Sequence, residues 1–151
     1  MVAGMTRPVP DVLSGMTPGC GTIGVRWPSL IQQVKFVGIC VSDQDRALEF
    51  YTKILGFELR NDQPFEQGQR WIELAIPGAE TGIVLFTPKG HENRIGQFVN
   101  MAYRSTDLQA TYEELTAKGV EFTSPPTNQP WGSFAIFKDP DGNSFVISAE
   151  K

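Results

Sequence analysis

The sequence predicts an α+β fold made of two βαβββ repeats, and three observations predict it. A strand rich in β-branched residues followed by an amphipathic helix occurs twice. The residues that bracket each helix recur: Asp43 with Asp107, Gly56 with Gly119, and Thr81-Gly82-Ile83-Val84 with Asn143-Ser144-Phe145-Val146, 62 to 64 residues apart. Each copy then runs into three further strand-like segments. The offset exceeds the roughly 20–50 residues of solenoid repeats, so the copies are half-domains rather than stacked modules. In each half one sheet face lies under the helix, and the other is left to line a cleft.

The first half spans about 34–88. "VKFVGICVS" reads as a buried strand. "SDQDRALEFYTKILG" reads as a helix, with Ser42 or Asp43 accepting hydrogen bonds from free N–H groups of the first turn. Asp45 suits the positive end of that helix. Ala47, Leu48, Phe50, Tyr51, Ile54 and Leu55 form its apolar face, and Gly56 can take the left-handed conformation that ends it. "FELRND", "RWIELAI" and "TGIVLFT" follow as strands, and 88–96 is a polar connection.

The second half spans about 97–149. "FVNMAYRS" is a strand and "TDLQATYEELTAKG" a helix, with Thr106-x-x-Gln109 as a capping box. Leu108, Tyr112 and Leu115 form its apolar face, and Gly119 closes it. "VEFTS", "WGSFAIFKD" and "NSFVIS" are three more strands. Asp139-Pro140-Asp141-Gly142 has the chemistry of a type I turn, with proline setting φ at the second position. Residues 1–33 carry four prolines and five glycines with no apolar period, and read as a flexible or loosely docked tail whose end Trp27 and Leu30 could pin.

Composition narrows the function. Thirteen basic and 17 acidic residues leave a net charge of −4 over 151 residues, and no basic cluster offers a nucleic-acid or anionic-membrane surface. No apolar run approaches the roughly 18 residues of a membrane span. The first residues lack the apolar stretch of a secretory signal. Cys20 and Cys40 form neither a disulfide framework nor a zinc spacing, so a reducing cytoplasm is the expected compartment.

"VGICVSDQDRALEFYTKILGFEL", "TDLQATYEELTAKGVEF" and "PWGSFAIFKDPDGNSFVIS" together resemble the vicinal oxygen chelate superfamily, over Val34 to about Ala149. That superfamily includes glyoxalase I, extradiol dioxygenases, fosfomycin-resistance enzymes and bleomycin-resistance proteins. The resemblance implies a curved mixed sheet around a central cleft and a frequent homodimer. In the metalloenzymes it implies a His on the first strand of each half and a carboxylate or amide on the last. There the metal polarises neighbouring substrate oxygens as a Lewis acid. Carried over residue by residue, those positions are Phe36, Val84, Asn100 and Val146. Only Asn100 offers an oxygen, so the usual metal site cannot be built and no cofactor is expected. A divalent metal would need a relocated site. His91, the one histidine, lies in the polar "PKGHENR" and reads as a solvated loop residue.

Strand alternation indicates what lines the cleft instead. Phe36, Gly38 and Cys40 share a face, as do Asn100, Ala102 and Arg104, and Ser144, Val146 and Ser148. Val84 and Phe86 join them, with Trp71 and Glu73, and Trp131 at the rim. These residues describe a mostly apolar, aromatic pocket for a small molecule. Phe36, Val84 and Val146 can equally fill the space as core. Trp71 and Trp131 can be packing residues, Glu73 and Arg104 an ion pair, and Cys40 an inert thiol. The expected function is metal-independent binding of a small aromatic or hydrophobic metabolite or drug. The alternative is a glyoxalase-like lyase, isomerase or dioxygenase, with a relocated metal or with Glu73 as acid–base catalyst.

Overall fold

The computed structural model describes residues 30–149. The expected tail, with Trp27 and Cys20, falls outside them except for its last four residues. Leu30 is fully exposed.

Eight strands form two four-stranded sheets of the same topology. The first half supplies β1 (Phe36–Cys40), β2 (Glu58–Pro64), β3 (Arg70–Ala75) and β4 (Gly82–Phe86). The second supplies β5 (Phe98–Ser105), β6 (Phe122–Gln129), β7 (Gly132–Lys138) and β8 (Ser144–Ala149). The strand orders are β1-β4-β3-β2 and β5-β8-β7-β6, with the first pair of each parallel and the rest antiparallel. The α+β class and the duplicated topology are those expected. The sheet is two separate ladders rather than one. Gly82 is needed where β4 begins: a Cβ there would stand 2.5 Å from the carbonyl oxygen of Leu74.

Helix α1 (Gln44–Glu49) is capped by Asp43, whose carboxylate accepts from the N–H of Arg46 at 3.0 Å. Asp107 does the same for α2 (Leu108–Ala117), accepting from the N–H of Ala110 at 2.9 Å. The repeat is thus real at the level of single hydrogen bonds. The expected capping box is corrected: Asp107 rather than Thr106 caps α2, and Gln109 donates to Glu113 instead. A carboxylate one residue later is the better match to the orphan N–H groups. The expected single helix over 42–55 is also corrected. From Phe50 to Ile54 the chain widens into a π turn, in which the N–H of Leu55 reaches back to Phe50 O at 3.2 Å. The expected strand "VEFTS" runs on to Gln129 through Pro125 and Pro126. It can do so because β6 is an edge strand, where a missing N–H costs no ladder bond.

One core joins the halves. Ile39, Ile72, Leu74, Ile83 and Leu85 come from the first sheet, Val41 from just beyond β1, and Ala135, Phe137, Phe145 and Ile147 from the second. Tyr51, on the π turn, is fully buried and meets Phe145 edge-on at 6.4 Å. The turn at 139–142 forms as expected, with the N–H of Gly142 donating to Asp139 O at 3.0 Å and Gly142 at φ 83°.

That turn also ties the second half to the first. The Tyr51 hydroxyl donates to Asp139 Oδ2 at 2.8 Å. Asp141 Oδ1 accepts from the Ser42 N–H at 3.2 Å, from the Ser42 hydroxyl, and from Arg46 Nη2 at 3.0 Å. Asn143 Nδ2 donates to Cys40 O at 2.9 Å. Among the described residues no helix is long and apolar enough to cross a membrane.

Candidate functional site

The face of the first sheet turned away from the core carries an aromatic wall. Phe36 on β1 meets Trp71 on β3 edge-on, with ring centroids 5.4 Å apart. Phe65, in the β2–β3 connection, packs on the other side of Trp71 at 5.7 Å. Register places Val84 between Gly38 and Glu73, on that same face. Val84 is nonetheless buried, whereas Glu73 is half-buried. Phe86 lies across Gly38, so closely that a Cβ at 38 would meet its ring edge at 2.8 Å. The Arg94 guanidinium stands over the Phe86 ring, 6.0 Å from its centroid, a cation–π arrangement.

The second sheet has its own outer face. Ala102 pairs with Val146 and Arg104 with Ser148 across the parallel β5–β8 ladder. Ile136 lies opposite Val146, and Phe134 opposite Ser148. Trp131 stacks on Phe134 with centroids 5.2 Å apart and rings 14° from parallel. It is 63% exposed. Burial alternates along β5 as the sequence indicates, with Asn100, Ala102 and Arg104 exposed and Met101 and Tyr103 turned inward.

The two faces meet at a hollow of about 620 Å³ beside β1 and the start of β5. Gly38 and Cys40 line it from β1, Asn93 and Arg94 from the short 3-10 turn Glu92–Arg94, and Gln97 to Asn100 from the entry to β5. The β5–β8 register slips by two residues between Phe98 and Ala102, so Asn100 sits in an irregular stretch of strand. Such irregularities re-aim side chains. Asn143 also lines the hollow but is spoken for: its Oδ1 accepts from the Gly96 N–H at 2.8 Å, and its Nδ2 is held by Cys40 O and Asp139. Burial pushes the Cys40 thiol above its ordinary range, with the Arg94 charge pulling the other way. The thiol is therefore neutral at pH 7 and no nucleophile.

The structure brings Phe36, Trp71, Val84 and Phe86 onto one wall, and Cys40 and Asn100 into one hollow. Val146, Arg104 and Trp131 stand on the second sheet. Arg104 is about 13 Å along β5 from Asn100 at a strand rise of about 3.3 Å per residue. It lines two other hollows with Tyr103. The larger of these, about 460 Å³, lies on the helix side beside Leu55, Phe57 and Leu115. Besides Arg104, its charged residues Glu114 and Lys118 are paired with each other at 2.7 Å.

Sequence reasoning missed Arg94, Asn93 and Gln97, because they sit in a polar connection with no periodicity to orient them. It also missed Phe65 and Phe134, which complete the two aromatic pairs. The only early signal was an Arg eight residues after the strand-end Phe86.

The usual metal-binding positions do not fit a metal. Phe36 and Val84 are part of the aromatic face, and Val146 is packed among Ala102 and Ile136. Among the described residues no three His, Cys, Asp or Glu side chains are gathered to hold an ion. His91 is exposed.

Comparisons with known proteins agree with this frame. The Bacillus subtilis protein YetH is 34% identical over 118 residues, covering 78% of this chain and 98% of its own. A solved member of the glyoxalase/bleomycin resistance protein/dioxygenase superfamily from Sphaerobacter thermophilus is 36% identical with a TM-score of 0.75, covering 81% of this chain and all (100%) of that one. TnmS3, an antibiotic binding protein from a Streptomyces species, is 34% identical with a TM-score of 0.74, covering 82% of this chain and 100% of its own. The family profile itself matches residues 33–147. The chain belongs to the Glyoxalase/Bleomycin resistance protein/Dioxygenase superfamily.

Proposed function

We propose that this protein binds a small aromatic or hydrophobic molecule without a metal, against the wall formed by Phe36, Trp71 and Phe86. One observation carries the reading. Where metalloenzymes of the superfamily place a first-strand ligand, this chain has Phe36, packed edge-on against Trp71. A ring face and a ring edge in that geometry suit a third aromatic group. The similarity to an antibiotic binding protein supports a binding role.

The test is a calorimetric titration of chelator-treated protein with a panel of planar aromatic compounds. Saturable binding near one ligand per chain is expected, unchanged by added Zn²⁺. Incubation with Zn²⁺, Ni²⁺, Mn²⁺ or Fe²⁺ followed by desalting should leave less than about a tenth of an equivalent of metal. No saturable ligand, together with about one equivalent of metal, would overturn the reading.

The same reading extends to a homodimer. Phe65, Phe98 and Trp131, 53%, 52% and 63% exposed, are the apolar rings a second copy would cover. Light scattering is expected to give the mass of two chains, and a mass of one chain would remove this part of the proposal.

A further inference from the structure

We propose that the hollow beside β1 seats the carboxylate of an aromatic acid, with Arg94 as its counter-charge, while the ring of that ligand lies on the wall beside it. The inference rests on the binding role just described and names the class of ligand.

Position is the first argument. Arg94 stands over Phe86, and Phe86 crosses Gly38, which lines the hollow together with Arg94 itself. A charge recognised by Arg94 is therefore delivered next to the ring surface rather than into open solvent. Charge is the second. Arg94 makes no ion pair among the described residues, and no acidic side chain lines the hollow. The carboxylates of this neighbourhood are engaged elsewhere. Glu92 accepts from the Gly90 N–H at 2.9 Å, Asp141 is held by Ser42 and Arg46, and Asp139 is buried against Tyr51 and Asn143. The positive charge is left for a ligand.

The remaining lining supplies neutral donors. Asn93, Gln97 and Asn100 bring carboxamide groups, and all three are exposed, unlike the fully engaged Asn143. Cys40, kept neutral by burial, adds no competing anion. A planar guanidinium flanked by amide N–H donors matches the two oxygens of a carboxylate better than a single-point acceptor.

The experiment compares 2-naphthoate with 2-naphthamide, which share a ring and differ in charge, by calorimetric titration of the intact protein. The naphthoate is expected to bind about tenfold more tightly, an advantage typical of charge-assisted hydrogen bonds, and to weaken with added salt. In Arg94→Gln the preference for the naphthoate should disappear, so that the two probes bind equally. Equal binding of the two probes by the natural protein would overturn the carboxylate seat and leave the aromatic-binding role standing. A preference that survives Arg94→Gln would overturn the part given to Arg94. Binding of neither probe would overturn the carboxylate seat.

Discussion

Replacing Asp139 by alanine is expected to lower the melting temperature by about 10 °C. Asp139 is 5% exposed and accepts four hydrogen bonds. Oδ1 takes the backbone N–H groups of Asp141 at 3.0 Å and Asn143 at 2.9 Å. Oδ2 takes the Tyr51 hydroxyl and Asn143 Nδ2, both at 2.8 Å. Burial pushes the carboxyl above its ordinary range, while the bonds from Asn143 and Tyr51 pull it down. Alanine would leave these donors without this acceptor, in a site where each unsatisfied group costs about 1–3 kcal/mol. Rearrangement and entering water recover part of that, leaving a net loss of about 3–4 kcal/mol. For a chain of this size about 2–4 °C is lost per kcal/mol. Asp139→Asn keeps an acceptor for the two backbone N–H groups and should lose about half as much. Thermal denaturation followed by circular dichroism decides it, and a shift under about 2 °C for the alanine variant would show that the network is not holding the turn.

Replacing Trp71 by alanine is expected to weaken binding of a planar aromatic ligand by tenfold or more while leaving the fold intact. Trp71 is the centre of the wall, touching both Phe36 and Phe65. Its removal takes away the ring surface on which the ligand rests, and aromatic stacking contributes about 0.5–1.5 kcal/mol beyond the area it buries. The area term adds to this at about 25 cal/mol per Å², so a loss of one to two decades is the expected scale. Trp71 points away from the shared core, so the melting temperature should move far less than for Asp139→Ala. Calorimetric titration with 2-naphthoate measures the change. Unaltered affinity would mean that the ligand sits elsewhere, most directly on the Trp131–Phe134 pair of the second sheet.

The duplicated architecture was legible because it rests on local signals. The Asp43 cap, the recurrence of Asp43 at Asp107, the Gly56 and Gly119 helix ends, and the alternation along β5 are all set by residues a few positions apart. The π turn was not legible, because nothing in "EFYTKIL" distinguishes a wider turn from an ordinary one. What accompanies it is the reach of Tyr51 to Asp139, 88 residues away. The aromatic members of the wall, Phe36, Trp71 and Phe86, followed from strand parity. Their mutual contacts, and the place of Arg94 above Phe86, depend on how a connection folds back over a sheet, which no periodicity encodes. The two-residue slip at Asn100 is likewise a property of the β5–β8 ladder and not of either strand alone.

The alternating side chains of a single tight turn, Asp139, Asp141 and Asn143, each grip a different point of the opposite half: a tyrosine hydroxyl, a helix entrance and a strand carbonyl. Two modules of the same topology are thereby mutually dependent. Loosening the second strips the first of three anchors at once, and the first in turn exposes the carboxylates it had covered. The pair behaves as one cooperative unit, and neither half is a free-standing fragment that could be exchanged or shed on its own.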